Sequence, residues 1–207
     1  FDLVQRFNYP HRVFHANFID LSCSHRFNIL KPSVLQDENF FLQLLSDVLN
    51  AFMADSKQNE WYLGALGLFR GVGIRFYSDY PQICTLPHIV NYITTSSSNQ
   101  LEVFLKARKE SQSLAAAYLS AAGSEKTQAS IRATLGTYLS ELSSNKKVQY
   151  VLSGDDFDFN LIDPLDPKLL IVANSYQLDS LLSPIVALMI NVSTRNFSLS
   201  NKVNFFY

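Results

Sequence analysis

A long block of helical periodicity stands between two segments with strand-like patterns, and this order constrains the fold more than any other feature. From Asp37 to about Ser144, apolar residues recur every three to four positions, as in amphipathic helices. On either side of this block, the apolar residues form short runs instead. We therefore expect a mostly helical α+β chain, in which a bundle of about six helices is inserted into a partial parallel α/β layer.

Capping residues divide the block into its helices. Asp37 and Ser124 are good N-cap residues, since their side-chain oxygens can accept hydrogen bonds from first-turn N–H groups. Thr85 precedes Pro87, which suits a first turn because proline has no N–H to satisfy. The expected helices are one capped by Asp37, one at 59–77, one capped by Thr85, one beginning at Leu101, one at 114–122 and one opened by Ser124.

The flanks contain the expected strands. One short strand is predicted at 13–18, before the bundle. After the bundle, a short, mostly apolar strand is predicted at 148–152. The continuous apolar run at 169–173 is typical of a strand covered on both faces. Between the later strands, Ser183 and Pro184 are expected to cap and begin a helix. A crossover helix implies parallel neighbouring strands.

These patterns divide the chain into three parts. Residues 1–36 are expected to be partial α/β strands and a loop, residues 37–146 the helical bundle, and residues 147–207 a second partial α/β segment that ends in a strand at 203–207. The chain has no initiator Met, and it starts and stops on apolar residues. We therefore expect it to be a piece of a longer protein.

Composition excludes some function classes. With 17 basic and 18 acidic side chains, the net charge of −1 argues against a nonspecific nucleic-acid binder, which normally needs a basic excess. Two cysteines, Cys23 and Cys84, cannot form the framework of a fold of this size. The apolar run 185–190 is much shorter than a membrane-spanning helix, so no membrane segment is expected in this chain.

Motifs for nucleotide binding are missing from the sequence. No glycine is followed at the right spacing by Gly-Lys-Ser or Gly-Lys-Thr, so a phosphate-binding loop is not encoded. Gly71 and Gly73 lack a third glycine at the dinucleotide spacing and lie in a helical pattern. Together with Gly64 and Gly67, they are expected to pack closely against a neighbouring element.

Metal and catalytic motifs are equally weak. The segment 155–160 alternates oxygen ligands, but Leu161 stands where a calcium loop needs glycine and Pro167 where it needs glutamate. We expect a turn with Phe157 and Phe159 directed inward and the aspartates in water, where they could still face a partner. Histidines and cysteines show no paired ligand spacing. We therefore assign no catalytic, cofactor-binding or metal residues.

Partner contact is the chemistry that the sequence leaves open. Lys106, Arg108 and Lys109 form a basic spot within the tract 96–110, which we expect at the exposed end of the bundle. The same cations could be an ordinary solvated helix terminus, which is the default interpretation, or a DNA contact, which is the minority one. Trp61 and Tyr62 are candidates to line a groove that accepts an amphipathic partner segment. Arg132 is expected to be an ordinary surface cation.

Nearly the whole chain resembles the coupling proteins of type IV secretion and conjugation systems, which are TraG-like and TraD-like proteins, especially the TraG-like branch of Bacteroidetes elements. The resemblance is one of apolar positions and short phrases, not of a catalytic signature. The phrases are Arg26-Phe-Asn28, Thr85 to Ile93, Thr127 to Leu135 continuing through Leu139 and Leu142, Val148 to Phe157, and Asp166 to Asn174.

This resemblance implies a fold and a function. The family comprises membrane-anchored hexameric ATPases at the cytoplasmic face of the bacterial inner membrane, with a RecA-like motor domain interrupted by an all-α domain. They bring a relaxase on single-stranded DNA to the secretion channel. Residues 37–146 would be the all-α domain that recognises relaxosome proteins or secreted substrates, and the flanks would be motor-domain strands. ATP and Mg would bind to the intact parent through segments outside this chain, which would not itself be catalytic.

Two alternatives belong to other classes. The chain could be a stand-alone helical interaction or scaffolding domain that is unrelated to a motor. It could also be an enzyme whose site has no recognisable motif.

Overall fold

Helices dominate the computed structural model, which describes residues 12–35, 37–53, 61–161, 165–166, 168–174 and 176–200. These ranges contain ten α-helices, one two-stranded sheet and several short 3₁₀ turns. The helices are α1 (Pro32–Leu35), α2 (Glu38–Phe52), α3 (Tyr62–Asp79), α4 (Leu86–Thr95), α5 (Ser98–Lys106), α6 (Lys109–Leu114), α7 (Ala116–Ser120), α8 (Glu125–Ser144), α9 (Lys146–Leu152) and α10 (Asp179–Ser200).

The sheet joins the two flanks of the bundle. Strand β1 (Arg12–Asn17) pairs in parallel with β2 (Lys168–Ala173), with Phe14 opposite Leu170. Two strands that are far apart in sequence are therefore neighbours in space, and the whole bundle is inserted between them. Both strands were expected, but every residue of β2 is half-buried, so the expectation of a strand fully covered on both faces is wrong.

The predicted caps at Asp37, Thr85 and Ser124 are confirmed, because capping is a local property of the sequence. Asp37 Oδ1 accepts the backbone N–H of Asn39 at 2.9 Å and begins α2. Thr85 Oγ1 accepts the His88 N–H at 3.3 Å, and Ser124 Oγ accepts the Thr127 N–H at 3.4 Å. Helices α4 and α8 thus begin where the sequence predicts.

Helix α3 packs against α2 and α4–α8, and its glycines allow the close approach that was predicted. A Cβ at Gly67 would lie 2.6 Å from the carbonyl oxygen of Leu114. At Gly71, whose carbonyl accepts a hydrogen bond from Ser111 Oγ at 2.7 Å, it would lie 2.9 Å from the Ala115 side chain. Larger side chains would push α6 and α7 away from α3.

The segment 148–152 is helical and not a strand as predicted. Asn145 Oδ1 accepts the backbone N–H groups of Lys147 at 3.0 Å and Val148 at 3.3 Å, which begins α9 directly after α8. Val148, Val151 and Leu152 are buried, which is the spacing of one helical face. A short apolar run satisfies both patterns, and here the cap favours the helix.

Two other helix boundaries differ from the prediction. The helix expected to begin at Leu101 ends at Lys106 and is followed by a separate helix, α6, and the alanine-rich helix expected at 114–122 is shorter, as α7. The bundle therefore has seven α-helices in the described ranges and not about six. Ser183 is not a cap, because α10 begins at Asp179 and Pro184 lies inside it, where one helical hydrogen bond is missing. Leu182 and Ile185 on either side of this position are buried.

Some expectations fall outside the described residues. The start of the predicted helix at 59–77 and the predicted strand at 203–207 lie there.

No helix in the described ranges combines the length and the apolar character that crossing a lipid bilayer requires.

Candidate functional site

Five rings meet at one end of the bundle, where the C-terminus of α3 contacts α4 and α5. Phe104 of α5 lies 4.6 Å from Tyr92, 5.4 Å from Phe76 and 6.1 Å from Tyr80, measured between ring centroids. His88 lies 5.1 Å from Phe76. Phe76 is buried, whereas Tyr80 is 41% exposed. The cluster is therefore packed against the core on its Phe76 side and exposed to solvent on its Tyr80 side.

Two arginines hold this cluster in place. The Arg75 guanidinium carbon lies 4.9 Å from the centre of the Phe104 ring, a cation–π distance, and the side chain also pairs with Asp79 one turn later. Arg108 Nη1 lies 3.1 Å from Asp79 Oδ1, and its Nε lies 3.1 Å from Glu110. Arg108 therefore ties the connection between α5 and α6 to the end of α3, a role that sequence reasoning missed.

The outer face of α5 is polar with one exposed apolar residue. Lys106 Nζ donates to Glu102 Oε2 at 3.0 Å within the last turns of α5, where a cation also suits the helix dipole. That hydrogen bond, with a second one from Gln128 Nε2, lowers the pKa of Glu102. Val103 on the same face is 64% exposed, and Lys109 is exposed at the start of α6. We call Tyr80, Val103, Phe104, Lys106 and Lys109 the α5 surface.

Trp61 and Tyr62 are not part of this surface. They lie at the opposite end of α3, about 25 Å away at 1.5 Å per residue. Tyr62 is buried, and its hydroxyl group donates to the Asn50 side chain of α2. Trp61 is half-buried and packs against the core. The structure thus brings Lys106, Arg108 and Lys109 together but separates them from the two aromatic residues.

Arg132 is a structural residue and not an ordinary surface cation as expected. Its Nε donates to the carbonyl oxygen of Ile93 at 3.2 Å, and Nη2 donates to those of Thr94 at 3.2 Å and Ser96 at 2.5 Å. These oxygens lie at the C-terminus of α4, where carbonyl groups have no partner within the helix. Arg132 therefore caps α4 from α8.

The acidic turn after α9 makes ion pairs with residues before the bundle. Asp155 Oδ2 lies 2.5 Å from Lys31 Nζ, and Asp156 Oδ1 lies 2.7 Å from Arg26 Nη2. Phe157 and Phe159 are buried, as predicted, but these aspartates pair within the chain and are not simply solvated. In the part of the chain that the structure describes, no three His, Cys, Asp or Glu side chains converge on a possible metal position.

A helical bundle inserted between two neighbouring parallel strands defines an α/β protein with an inserted all-α domain. The chain belongs to the family described as "Type IV secretory system Conjugative DNA transfer", which it matches over residues 5–204. The resemblance to coupling proteins is thereby confirmed, and with it the expected fold class.

Solved structures of a conjugative coupling protein share this fold. TrwBdeltaN70 in its unbound monoclinic form has a TM-score of 0.60 at 14% identity, with 89% of this chain and 40% of that one covered. Plasmid coupling protein TrwB in complex with ADP and Mg2+ has a TM-score of 0.62 at 15% identity, with 94% and 43% covered. The chain thus spans about two fifths of these structures. No curated protein matches it.

Proposed function

We propose that this chain is the substrate-recognition part of a conjugative coupling ATPase, and that its α5 surface binds the relaxase, the relaxosome or another secreted protein. The observation that carries this proposal is the packing of Arg75 on Phe104 next to the exposed Tyr80, together with the exposed Lys106 and Lys109 in the segment that follows Phe104. Membership of the conjugative DNA transfer family supports a role in recognition and disfavours an unrelated scaffold.

The physical basis is the rigidity of the exposed rings. Tyrosine and arginine are enriched among the residues that contribute most to protein interfaces. Tyrosine buries a large area and loses little conformational entropy when it does so. Tyr80 stacks at 19° on Phe104, and its neighbour Arg75 is held by Asp79, so a partner would meet a preformed surface. Lys106 and Lys109 at the rim would speed the approach of an acidic partner.

The motor function belongs to the complete protein in this proposal. One of the similar TrwB structures is a complex with ADP and Mg2+, which supports nucleotide and magnesium binding in the parent. We propose that the parent is a membrane-anchored homo-oligomer at the cytoplasmic face of the inner membrane, and that it hydrolyses ATP and contacts single-stranded DNA. This chain, which lacks the phosphate-loop motif in its sequence, should hydrolyse no ATP by itself. Measurable hydrolysis by the purified chain would contradict that statement.

The test compares two lysines in matched positions. Lys109 and Lys126 are both exposed in the first turn of a helix, but only Lys109 belongs to the α5 surface. We expect Lys109→Glu to weaken binding of the purified relaxase from the same conjugative element about tenfold in isothermal titration calorimetry, and Lys126→Glu to change it less than about twofold. Equal effects of the two changes would overturn the proposed surface.

A further inference from the structure

A second concave region lies where the bundle meets its flanks. Two adjoining cavities of about 550 and 430 Å³ share Gln82, Thr85 and Ser153 as lining residues. One wall comes from the segment before the bundle, one from the start of α4 and the 3₁₀ turn before it, and one from α9 and the loop after it. We call these two cavities the junction groove.

Two exposed apolar side chains stand on opposite walls of the junction groove. Ile83 is 43% exposed on the 3₁₀ turn, and Tyr150 is 41% exposed on α9. The Arg26 guanidinium carbon lies 5.6 Å from the centre of the Tyr150 ring, which restrains that ring. An apolar side chain inserted between Ile83 and Tyr150 would remove both from water.

Amide side chains lie beside these apolar residues. Gln82 and Asn91 are exposed on the groove walls, and each carries both donors and an acceptor. An extended peptide offers one N–H and one C=O per residue, which the amide side chains can bind. Its side chains can at the same time contact the apolar residues of the groove. The groove also has the volume of an ordinary ligand site.

The charges along the groove favour an acidic occupant. Arg26 is paired with Asp156, and Lys31 with Asp155. Lys146 lines the groove, and Asp155 is the one acidic residue among the described lining residues, so a positive charge is left over at Lys146. His88 adds none at neutral pH, since burial lowers its pKa. Single-stranded nucleic acid brings a charge with every phosphate and would need more unpaired cations than this groove has.

We infer that the junction groove binds an extended acidic peptide segment of a partner protein. An acidic side chain lies against Lys146, and an apolar side chain lies between Ile83 and Tyr150. This inference goes beyond the proposed function and does not depend on it, because none of these residues belongs to the α5 surface.

Binding to the full chain is measured by fluorescence anisotropy with two short labelled peptides. The glutamate peptide repeats leucine, serine and glutamate, and the lysine peptide has lysine in place of glutamate. We expect the glutamate peptide to bind at least about tenfold more tightly than the lysine peptide or an oligothymidine of similar length. Tighter or equal binding of the lysine peptide or of the oligothymidine would overturn the inference, as would no binding of the glutamate peptide up to about 1 mM.

Variants locate the binding. Lys146→Glu should weaken glutamate-peptide binding about fivefold, and Ile83→Glu about tenfold. Lys126→Glu and Ile190→Glu make the same chemical changes at exposed positions outside both the groove and the α5 surface, and they should leave binding unchanged. All four positions are exposed, and circular dichroism checks that each variant folds. Groove variants that bind as well as the wild-type chain would overturn the inference, whereas failure of the relaxase experiment at Lys109 would leave it intact.

Discussion

Arg108 Nη1 and Asp79 Oδ1 lie 3.1 Å apart, so that the connection between α5 and α6 is held against the C-terminus of α3. Both side chains are about 30% exposed, and Asp79 also pairs with Arg75. Loss of Arg108 would therefore remove one of two cations from a partly desolvated carboxylate. Lys109, the next residue, is exposed and makes no such ion pair with the described residues.

Replacing Arg108 should consequently cost more stability than replacing its neighbour. We expect Arg108→Gln to lower the free energy of unfolding by about 1 kcal/mol, at the upper end for partly exposed ion pairs. Lys109→Gln should change it by less than about 0.5 kcal/mol. Urea denaturation of both variants checks this, and equal losses would show that the Asp79 contact contributes nothing measurable.

Arg132 should contribute more to stability than Arg108, since it donates to three carbonyl oxygens at the end of α4. Hydrogen bonds from a charged donor contribute more than neutral ones, and the bonds here satisfy acceptors that α4 itself cannot. We expect Arg132→Gln to lower the free energy of unfolding by about 2 kcal/mol in urea denaturation, against less than about 0.5 kcal/mol for Lys126→Gln on the same helix.

Hydrogen exchange locates the effect of Arg132. The backbone N–H of Ser96 donates to the carbonyl oxygen of Tyr92 at 3.1 Å, at the end of α4 that Arg132 caps. In Arg132→Gln this amide should exchange faster relative to amides in the centre of α4, because the last turn frays. An unchanged exchange pattern would mean that the C-terminus of α4 is stable without the arginine.

The sequence predicted features that depend on near neighbours. The caps at Asp37, Thr85 and Ser124 were correct because each acceptor and its donors lie within three residues. Residues 148–152 were mistaken for a strand because a short, mostly apolar run fits both periodicities. The deciding signal was Asn145, a good N-cap shortly before them.

The candidate site depends on contacts that are remote in sequence. Arg132 lies 36 to 39 positions from the carbonyl groups that it caps, and Arg108 lies 29 from Asp79. Nothing local marks either arginine as different from a solvated cation. The basic spot was recognised from its composition, but the aromatic cluster at the same end of the bundle forms only through the packing of three helices.

Two glycines provide a matched test of the packing around α3. A Cβ at Gly67 would lie 2.6 Å from a backbone oxygen of α6, whereas a Cβ at Gly136 in α8 meets no atom within 4 Å. Gly67→Ala should therefore destabilise the chain by about 2 kcal/mol, because backbone must move. Gly136→Ala should stabilise it by up to about 1 kcal/mol through helix propensity. Thermal unfolding separates the two outcomes by the direction of the change in melting temperature, and a shared sign would contradict the close contact at Gly67.

The junction between residues 26 and 156 should make stability depend on pH. Asp156 Oδ2 accepts the Arg26 backbone N–H at 2.8 Å, and Oδ1 accepts its Nη2 at 2.7 Å. The side-chain hydrogen bond from Arg26 is the main cause that lowers the pKa of Asp156. Since the pKa is lower in the folded chain, the ionised carboxylate stabilises the fold fully above its unfolded value of about 3.9. That stability is lost as the pH falls through the folded-state pKa.

Asp156→Asn should therefore lower the free energy of unfolding by about 1 kcal/mol at pH 7, and the difference from wild type should shrink as the pH falls below about 4. Arg26→Gln removes the guanidinium donor instead of the acceptor. The difference in free energy of unfolding between this variant and the wild-type chain should therefore shrink over the same pH range. Urea denaturation at several pH values between about 3 and 7 measures both. If either variant kept the full acid sensitivity of the wild-type chain, another carboxylate would have to be its source, because Asp156→Asn removes the titrating carboxylate and Arg26→Gln removes the guanidinium hydrogen bond that lowers its pKa most.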